Sequence, residues 1–161
     1  MDKNKKLLEL LEDDGRISTK ALSRMLNLKE REVEKIIEDL KKKNIIRKFK
    51  TVVDWKKFGK KHILAVIQIK VVPQEREGFA RICKEISKDP KVKDVFVVTG
   101  EYDIIVVIEA TDLEDISNFV TDKLAPKKEV IGTYTHIVLN EFKRDGASMF
   151  DEEQKRLLLI P

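Results

Sequence analysis

The chain predicts an α+β protein in two parts, an N-terminal winged helix-turn-helix and a C-terminal ferredoxin-like βαββαβ sandwich. Three observations predict it. Helical periodicity runs through the first 43 residues. Ile- and Val-rich strands alternate with amphipathic helices from His62 to Asn140. Charge also divides between the parts: residues 1–61 hold 19 Lys+Arg and 11 Asp+Glu, a net +8, whereas residues 62–161 hold 14 and 18, a net −4. A basic half of this kind faces a polyanion, while the other half has a separate task. Abundant Lys and Glu can also serve thermal stability, but that accounts for the amount of charge and not for its asymmetry.

Composition narrows the class. Of 161 residues, 42% are hydrophobic, enough for a core of Ile, Val and Leu, and 39% are charged, against roughly 25% in ordinary soluble domains. No apolar run approaches the ~18 residues of a membrane span. The start, Met1-Asp2-Lys3-Asn4-Lys5-Lys6, lacks the apolar stretch of a signal peptide. Cys83 is the only cysteine, so no internal disulfide forms. These features suggest a cytoplasmic protein with no membrane partner.

The first helix spans about Lys5 to Glu12, with Leu7, Leu8 and Leu11 on one face, and Asp13-Asp14-Gly15 ends it. Ser18 is the N-cap of a second helix, Thr19 to Leu26, and Asn27 suits the left-handed turn after it. A third helix runs from about Lys29 to Lys43, burying Val33, Ile36, Ile37 and Leu40, with Asn44 closing it. Ser23 is small where the second helix is crossed, and Val33 plugs the third helix into the core. Two short helices on a tight turn leave the third helix for a major groove. An ordinary three-helix core shares the same pattern.

Ile45 to Asp54 alternates apolar and basic residues as a short β-wing would. From Lys41 to Lys61 there are ten Lys+Arg and one acid, Asp54, so this stretch is the strongest candidate for phosphate contact. The third helix is a poorer one. Between Lys29 and Leu40, three bases face five acids. Affinity is therefore expected from the wing and linker, with the helix selecting sequence through few contacts. The DNA-binding candidates are Ser18, Thr19, Lys29, Glu30, Arg31, Lys35, Arg47, Lys48 and Lys50. The expected boundaries are 1–54 for the winged helix-turn-helix, 55–61 for a basic linker, 62–142 for the sandwich and 143–161 for a tail.

The second part opens with a strand from His62 to Val72, ended by Pro73. A helix follows from Glu75 to Lys88, with Phe79, Ile82, Cys83 and Ile86 inward, which makes Cys83 a core residue. Lys91–Thr99 and Tyr102–Ala110 are strands around a Gly100-Glu101 turn. Asp112 to Leu124 is a helix with Leu113, Ile116, Val120 and Leu124 inward, and Val130 to Asn140 is the last strand. This order is the split βαβ unit. Both helices cover one sheet face, yet the strands are apolar on both, as in Ile63-Leu64-Ala65-Val66-Ile67 and Ile104-Ile105-Val106-Val107-Ile108. A bare face of that kind is a large exposed patch, so at least a dimer is expected, presenting two reading helices to two half-sites. The tail ends Leu157-Leu158-Leu159-Ile160-Pro161, with Asp151 as the cap of a short last helix.

A winged helix-turn-helix followed by Val98-Thr99-Gly100-Glu101-Tyr102-Asp103-Ile104-Ile105 resembles the Lrp/AsnC (leucine-responsive, or feast/famine) transcription regulators, in their archaeal-like form. Gly15-Arg16-Ile17-Ser18, Ile45-Ile46 and Gly132-Thr133-Tyr134-Thr135-His136-Ile137-Val138-Leu139 extend the likeness over about residues 3 to 142. The resemblance implies a sandwich of the RAM type, dimers associating into octamers, double-stranded DNA as partner and a small amino acid-like effector, with no cofactor and no metal. Carried over by motif, the effector-binding candidates are Thr99, Gly100, Glu101, Tyr102 and Asp103, with Thr133 and Thr135 on the last strand. Gly100 exposes backbone N–H groups suited to a carboxylate, and Asp103 or Glu101 suits an ammonium group. A plain hairpin turn with a satisfied Asp reads the same way. Family members usually begin the recognition helix with Ser, carry bases midway and place Ala and Gly in the turn. Here Lys29, then Ile36, Glu38 and Asp39, and Ser23 and Asn27 stand at those positions. These departures bear on DNA affinity and site preference, not on the fold.

Two other functions fit the architecture. One is a metabolite-sensing oligomer with weak DNA binding. The other is an enzyme resembling sirohaem decarboxylases, which carry His and Asn around the Tyr of this same loop. Here that loop is Gly-Glu-Tyr-Asp, and the only histidines, His62 and His136, are far apart. The sequence contains no P-loop, dinucleotide fingerprint, metal-spaced cluster or nucleophile elbow, so a regulator is expected and not an enzyme.

Overall fold

The computed structural model describes residues 2–72 and 78–150, in two compact units that divide between Val52 and Val53. The N-terminal unit has three helices, α1 (Lys3–Asp13), α2 (Thr19–Leu26) and α3 (Glu30–Lys42). Each starts and stops by local chemistry. The Asp2 carboxylate accepts the Asn4 N–H, and the Ser18 hydroxyl accepts the Ala21 N–H at 3.1 Å. Asn27 (φ 50°) turns α2 into α3 through the left-handed region. Lys29 has no acceptor to offer as N-cap, and instead the Glu32 carboxylate reaches back to the Lys29 N–H at 2.7 Å, the acidic half of a capping box. Asn44 (φ 55°) closes α3. The Ile45 N–H returns to the Leu40 carbonyl and the Asn44 N–H to Lys41, both at 2.9 Å, a Schellman closure.

Leu7, Leu22, Leu26, Val33 and Leu40 form this unit's core, with Ile36, Ile37 and Ile46 packed against it. Ser23 is buried among them, and its hydroxyl donates to the Lys20 carbonyl at 2.9 Å, so the polar atom is satisfied within its own helix. The expected β-wing is corrected. Among the described residues no strand forms between Lys42 and Ile63. Residues 47–53 hold no regular secondary structure, because alternation alone supplies no second strand to pair with. Phe49 nevertheless anchors the segment, its ring lying over Gly15, where an added Cβ would come within 3.2 Å of it.

The C-terminal unit is the expected two-layer sandwich. Its sheet has the order β2-β3-β1-β4, formed by β1 (Ile63–Val71), β2 (Val92–Val97), β3 (Ile104–Ala110) and β4 (Val130–Ile137), all neighbours antiparallel. One face carries Ala65, Ile67, Ile69, Ile104, Val106 and Ile108, all fully buried. Against it pack α4 (Ala80–Ile86), through Ile82 and Ile86, and α5 (Leu113–Asn118), through Ile116. Cys83 is half-buried beside this core, and burial pushes its thiol pKa up, as expected of an inert packing cysteine.

Several boundaries differ from expectation. The helix predicted from Glu75 begins at Ala80, after Gly78 in a left-handed turn (φ 53°); its first predicted residues, like Pro73, lie outside the described residues. The helix predicted over Asp112–Leu124 is α-helical only to Asn118, then widens into a π-helix over Phe119–Leu124, where the Ala125 N–H reaches back five residues to Val120. That wider turn carries Phe119 into the core beside Leu124. Leu113, expected inward, is exposed, because it starts the helix directly after the Asp112 cap. The last strand stops at Ile137 rather than Asn140. After it, β5 (Lys143–Arg144) and β6 (Ala147–Ser148) form a hairpin on the left-handed pair Asp145 (φ 46°) and Gly146 (φ 83°). The expected cap Asp151 and the apolar end of the tail lie outside the described residues.

Candidate nucleic-acid interface and effector loop

Burial of Val33 and Leu40 in α3 leaves Arg31, Glu34, Lys35, Glu38 and Lys42 exposed on the opposite side. These positions follow i, i+3, i+4, i+7, i+11, so they form one stripe. Its bases and acids alternate, which leaves little net charge on the helix that a groove would receive. Lys29, Glu30 and Arg31 stand together at its N-terminal end. Ser18 is occupied as the α2 cap, and Thr19 is the first residue of that helix. Arg47, Lys48 and Lys50 follow in the irregular segment after α3, all exposed. Lys41 places its ammonium 5.2 Å from the Phe49 ring centroid, which ties the end of α3 to that segment. The candidates thus fall into two groups, a mixed-charge helix face and a basic irregular segment that follows it in the same unit.

One element was not anticipated by sequence reasoning. The stretch expected as a linker, 55–61, belongs with the C-terminal unit, and with Asp54, expected as the end of the winged helix-turn-helix, it forms an ordered turn over residues 54–60. The Asp54 carboxylate caps it by accepting the Lys57 N–H at 2.9 Å, and Gly59 (φ 83°) ends it. An Asp cap followed five residues later by Gly is the signal that marks it.

The effector candidates lie at the opposite end of β1 from that turn. Thr99, Gly100 and Glu101 are exposed, and Tyr102 and Asp103 are half-buried. Gly100 sits at φ 126°, which only glycine adopts without strain. Asp103 holds the loop to β1: its backbone N–H donates to the Ile69 carbonyl at 3.1 Å, and its carbonyl accepts the Val98 N–H. Its two carboxylate oxygens take the Val71 N–H at 3.0 Å and the Lys70 ammonium at 3.3 Å. The Val71 N–H, helped by Lys70, holds the Asp103 carboxyl below its ordinary pKa. Val71 needs this acceptor because β4 bulges opposite it, Lys70 pairing with Gly132 and Val71 with Val130. Thr133 pairs with Ile69, and Thr135 with Ile67. Asp103 and Thr133 therefore flank the same end of β1, roughly 10 Å apart across two strand spacings. Thr135 lies two residues further along β4. Glu101 has no partner among the described residues.

At the other end of β1, a cleft of about 890 Å³ is lined by Trp55, Lys60, His62, Leu64, Leu139 and Phe142, among others. Two of its lining residues are held by Arg144, whose guanidinium donates to both Glu141 oxygens at 2.6 Å and to His62 Nε2 at 2.8 Å. His136 stands apart on β4, exposed beside Tyr134. Among the described residues no group of three His, Cys, Asp or Glu side chains could hold a metal ion, and no helix is long and apolar enough to cross a membrane.

Comparison with known proteins places this architecture. The Lrp/AsnC ligand binding domain matches residues 64–148, and a winged helix-turn-helix DNA-binding domain matches residues 1–47. The HTH-type transcriptional regulator YugG of Bacillus subtilis is 31% identical over 99% of this chain and 98% of its own. The HTH-type transcriptional regulator FL11 of Pyrococcus furiosus is 32% identical over 88% of this chain and 91% of its own. A Neisseria meningitidis transcriptional regulator, solved as an L-Met complex, shares the fold with a TM-score of 0.70 at 24% identity, covering 96% of this chain and 98% of that one. The two-unit order, the Thr-Gly-Glu-Tyr-Asp loop clasped to β1 and these full-length matches agree: the chain belongs to the Lrp/AsnC family of transcription regulators.

Proposed function

We propose that this regulator binds operator DNA chiefly through the exposed bases of Arg47, Lys48 and Lys50, with Lys29, Glu30, Arg31 and Lys35 of α3 selecting sequence and Ser18 and Thr19 flanking them. The observation that carries this reading is the charge of α3's exposed stripe, where Glu34 and Glu38 alternate with Arg31, Lys35 and Lys42. With two acids set among three bases such a face offers phosphates little net attraction, whereas the segment after it, residues 43–53, holds four bases and no acid. Replacing Lys48 and Lys50 by Ala weakens duplex binding more than Arg31→Ala, as read by fluorescence anisotropy. The opposite ranking returns the main role to α3, and no binding by the intact protein favours the metabolite sensor with weak DNA binding.

The loop Thr99–Asp103, with Thr133 and Thr135, is proposed to receive an amino acid-like effector in the cytoplasm. Support comes from the exposed Gly100 backbone, from the Glu101 carboxylate and from the L-Met complex of the Neisseria relative. Assembly is proposed to use the sheet face away from the helices, where Leu64, Val66, Ile105 and Val107 are half-buried and Phe96 and Tyr134 exposed. A second copy on that face gives a dimer, and the family resemblance extends this to octamers. The enzyme alternative has no support in the relatives, which are named as transcriptional regulators.

A further inference from the structure

Residues 54–60 fold into a single closed helical turn. Besides its side-chain cap on Lys57, Asp54 accepts the Phe58 N–H on its carbonyl at 3.1 Å, and the Lys60 N–H returns to the Trp55 carbonyl at 3.0 Å. These are the start and stop signals of a helix compressed into one turn. The side chains are ordered as well. Trp55 meets Phe58 edge to face at 5.9 Å, and the Lys60 ammonium sits 4.5 Å from the Trp55 ring centroid, a position fixed by cation–π attraction. Lys56, Lys57, Lys60 and Lys61 are all exposed on this frame. The only acid in the turn, Asp54, is engaged as its cap.

The surroundings make this charge unusual. From residue 62 onward the chain holds 14 bases and 18 acids, so the turn is a positive island on a net-negative unit. The exposed ammonium groups of Lys56, Lys60 and Lys61 lie within six residues and repel one another, a cost that a bound polyanion removes. Lys56 is six residues beyond Lys50, at most about 20 Å of extended chain. A duplex offers a phosphate per ~1.7 Å of its axis, so DNA bound near Lys50 brings phosphates within that reach.

We infer that the turn at residues 54–61 is a second phosphate-binding element, carried by the C-terminal unit, which holds DNA backbone beyond the segment read by the helix-turn-helix. The inference rests on the DNA-binding reading above and adds a contact outside the helix-turn-helix unit. Duplex contact is favoured over an acidic protein because the neighbouring basic segment already engages a uniform polyanion.

The test compares intact protein with a Lys56→Gln/Lys60→Gln/Lys61→Gln variant, titrated with a mixed-sequence 30-base-pair duplex at several salt concentrations. A Lys→Arg version of the same triple is the control. The expected result is a slope of log K against log salt shallower by roughly 2 to 3 in the Gln variant. The Arg variant keeps the parent slope, and all three proteins keep one melting temperature and one oligomeric state. An unchanged slope in the Gln variant, with steep binding by the parent, overturns the inference and leaves the DNA reading standing. A changed oligomeric state also overturns it, because the turn then contacts a second copy. A parent that binds no duplex overturns both.

Discussion

Asp103 shows how one side chain can frame a loop without being its ligand group. Both carboxylate oxygens already hold donors from β1, which leaves Glu101 as the carboxylate open to an ammonium group. Asp103→Ala is therefore expected to lower the melting temperature. Glu101→Gln leaves the melting temperature alone and removes the response to an amino acid, read by calorimetric titration. Loss of response in Asp103→Ala with unchanged melting would reverse these roles. Gly100→Ala forces φ 126° on a residue with a Cβ, and destabilisation of about 1–3 kcal/mol is expected from denaturant midpoints. The loop's chemistry is legible in Thr-Gly-Glu-Tyr-Asp, but Asp103's clasp is not. Its acceptor role depends on the bulge at Val71, which arises from the pairing of β1 with a strand about sixty residues later.

At the scale of elements, caps and cores are the readable features. Ser18, Asn27 and Asn44 act by short-range bonding, so the sequence alone places them. Leu7 is fully buried at the centre of the three helices, and Leu7→Ala is expected to cost about 2–5 kcal/mol in chemical denaturation. Alternation after Asn44 predicts a strand that does not form among the described residues, because a strand needs a partner that alternation cannot supply. The π-helix is hidden in the sequence, because one added residue per turn leaves the local apolar spacing nearly unchanged while moving Phe119 inward. The Asp145-Gly146 hairpin is readable from its turn residues, although the charged tail around them masks the signal. Packing of α5 rests partly on Asp115, which accepts from Lys91 and Thr111. The Lys91 ammonium, aided by Thr111, pulls the Asp115 carboxyl down to about 2, and Asp115 raises Lys91 in turn. A depressed carboxyl contributes stability that is complete above its unfolded pKa and is lost as pH falls through its folded one. Melting temperature should thus fall between about pH 4 and pH 2, less steeply in Asp115→Asn. Parallel acid profiles for the two proteins would contradict the assignment.

For the whole molecule, two surfaces remain after folding. The first is the apolar outer face of the sheet, on which Phe96, Ile105, Gln68 and Tyr134 form one cross-strand row. Ile105→Asp puts a charge at its middle. Light scattering should then show a smaller assembly with an intact far-ultraviolet spectrum, whereas an unchanged mass would place the contact elsewhere. This face is legible in the sequence itself, from strands apolar on both sides. The second surface is electrostatic. A net charge of +4 conceals a basic N-terminal half and an acidic remainder, and the structure divides the positive run between two folded units at Val52/Val53. What the sequence presents as one stretch is an irregular segment in one unit and an ordered turn in the next, a difference set by the Asp54 cap and the Gly59 reversal.

The central claim is that DNA is held by phosphate contacts from the run between Lys41 and Lys61 rather than by the face of α3. The most direct test is the salt dependence of duplex binding by the intact protein, compared between Arg47→Gln/Lys48→Gln and Arg31→Gln/Lys35→Gln. The account predicts a steep parent slope that falls by roughly 2 in the first variant. The second variant keeps most of the slope and loses discrimination between operator and random sequence. A flat parent slope, or a larger loss of slope in the α3 variant, would contradict it.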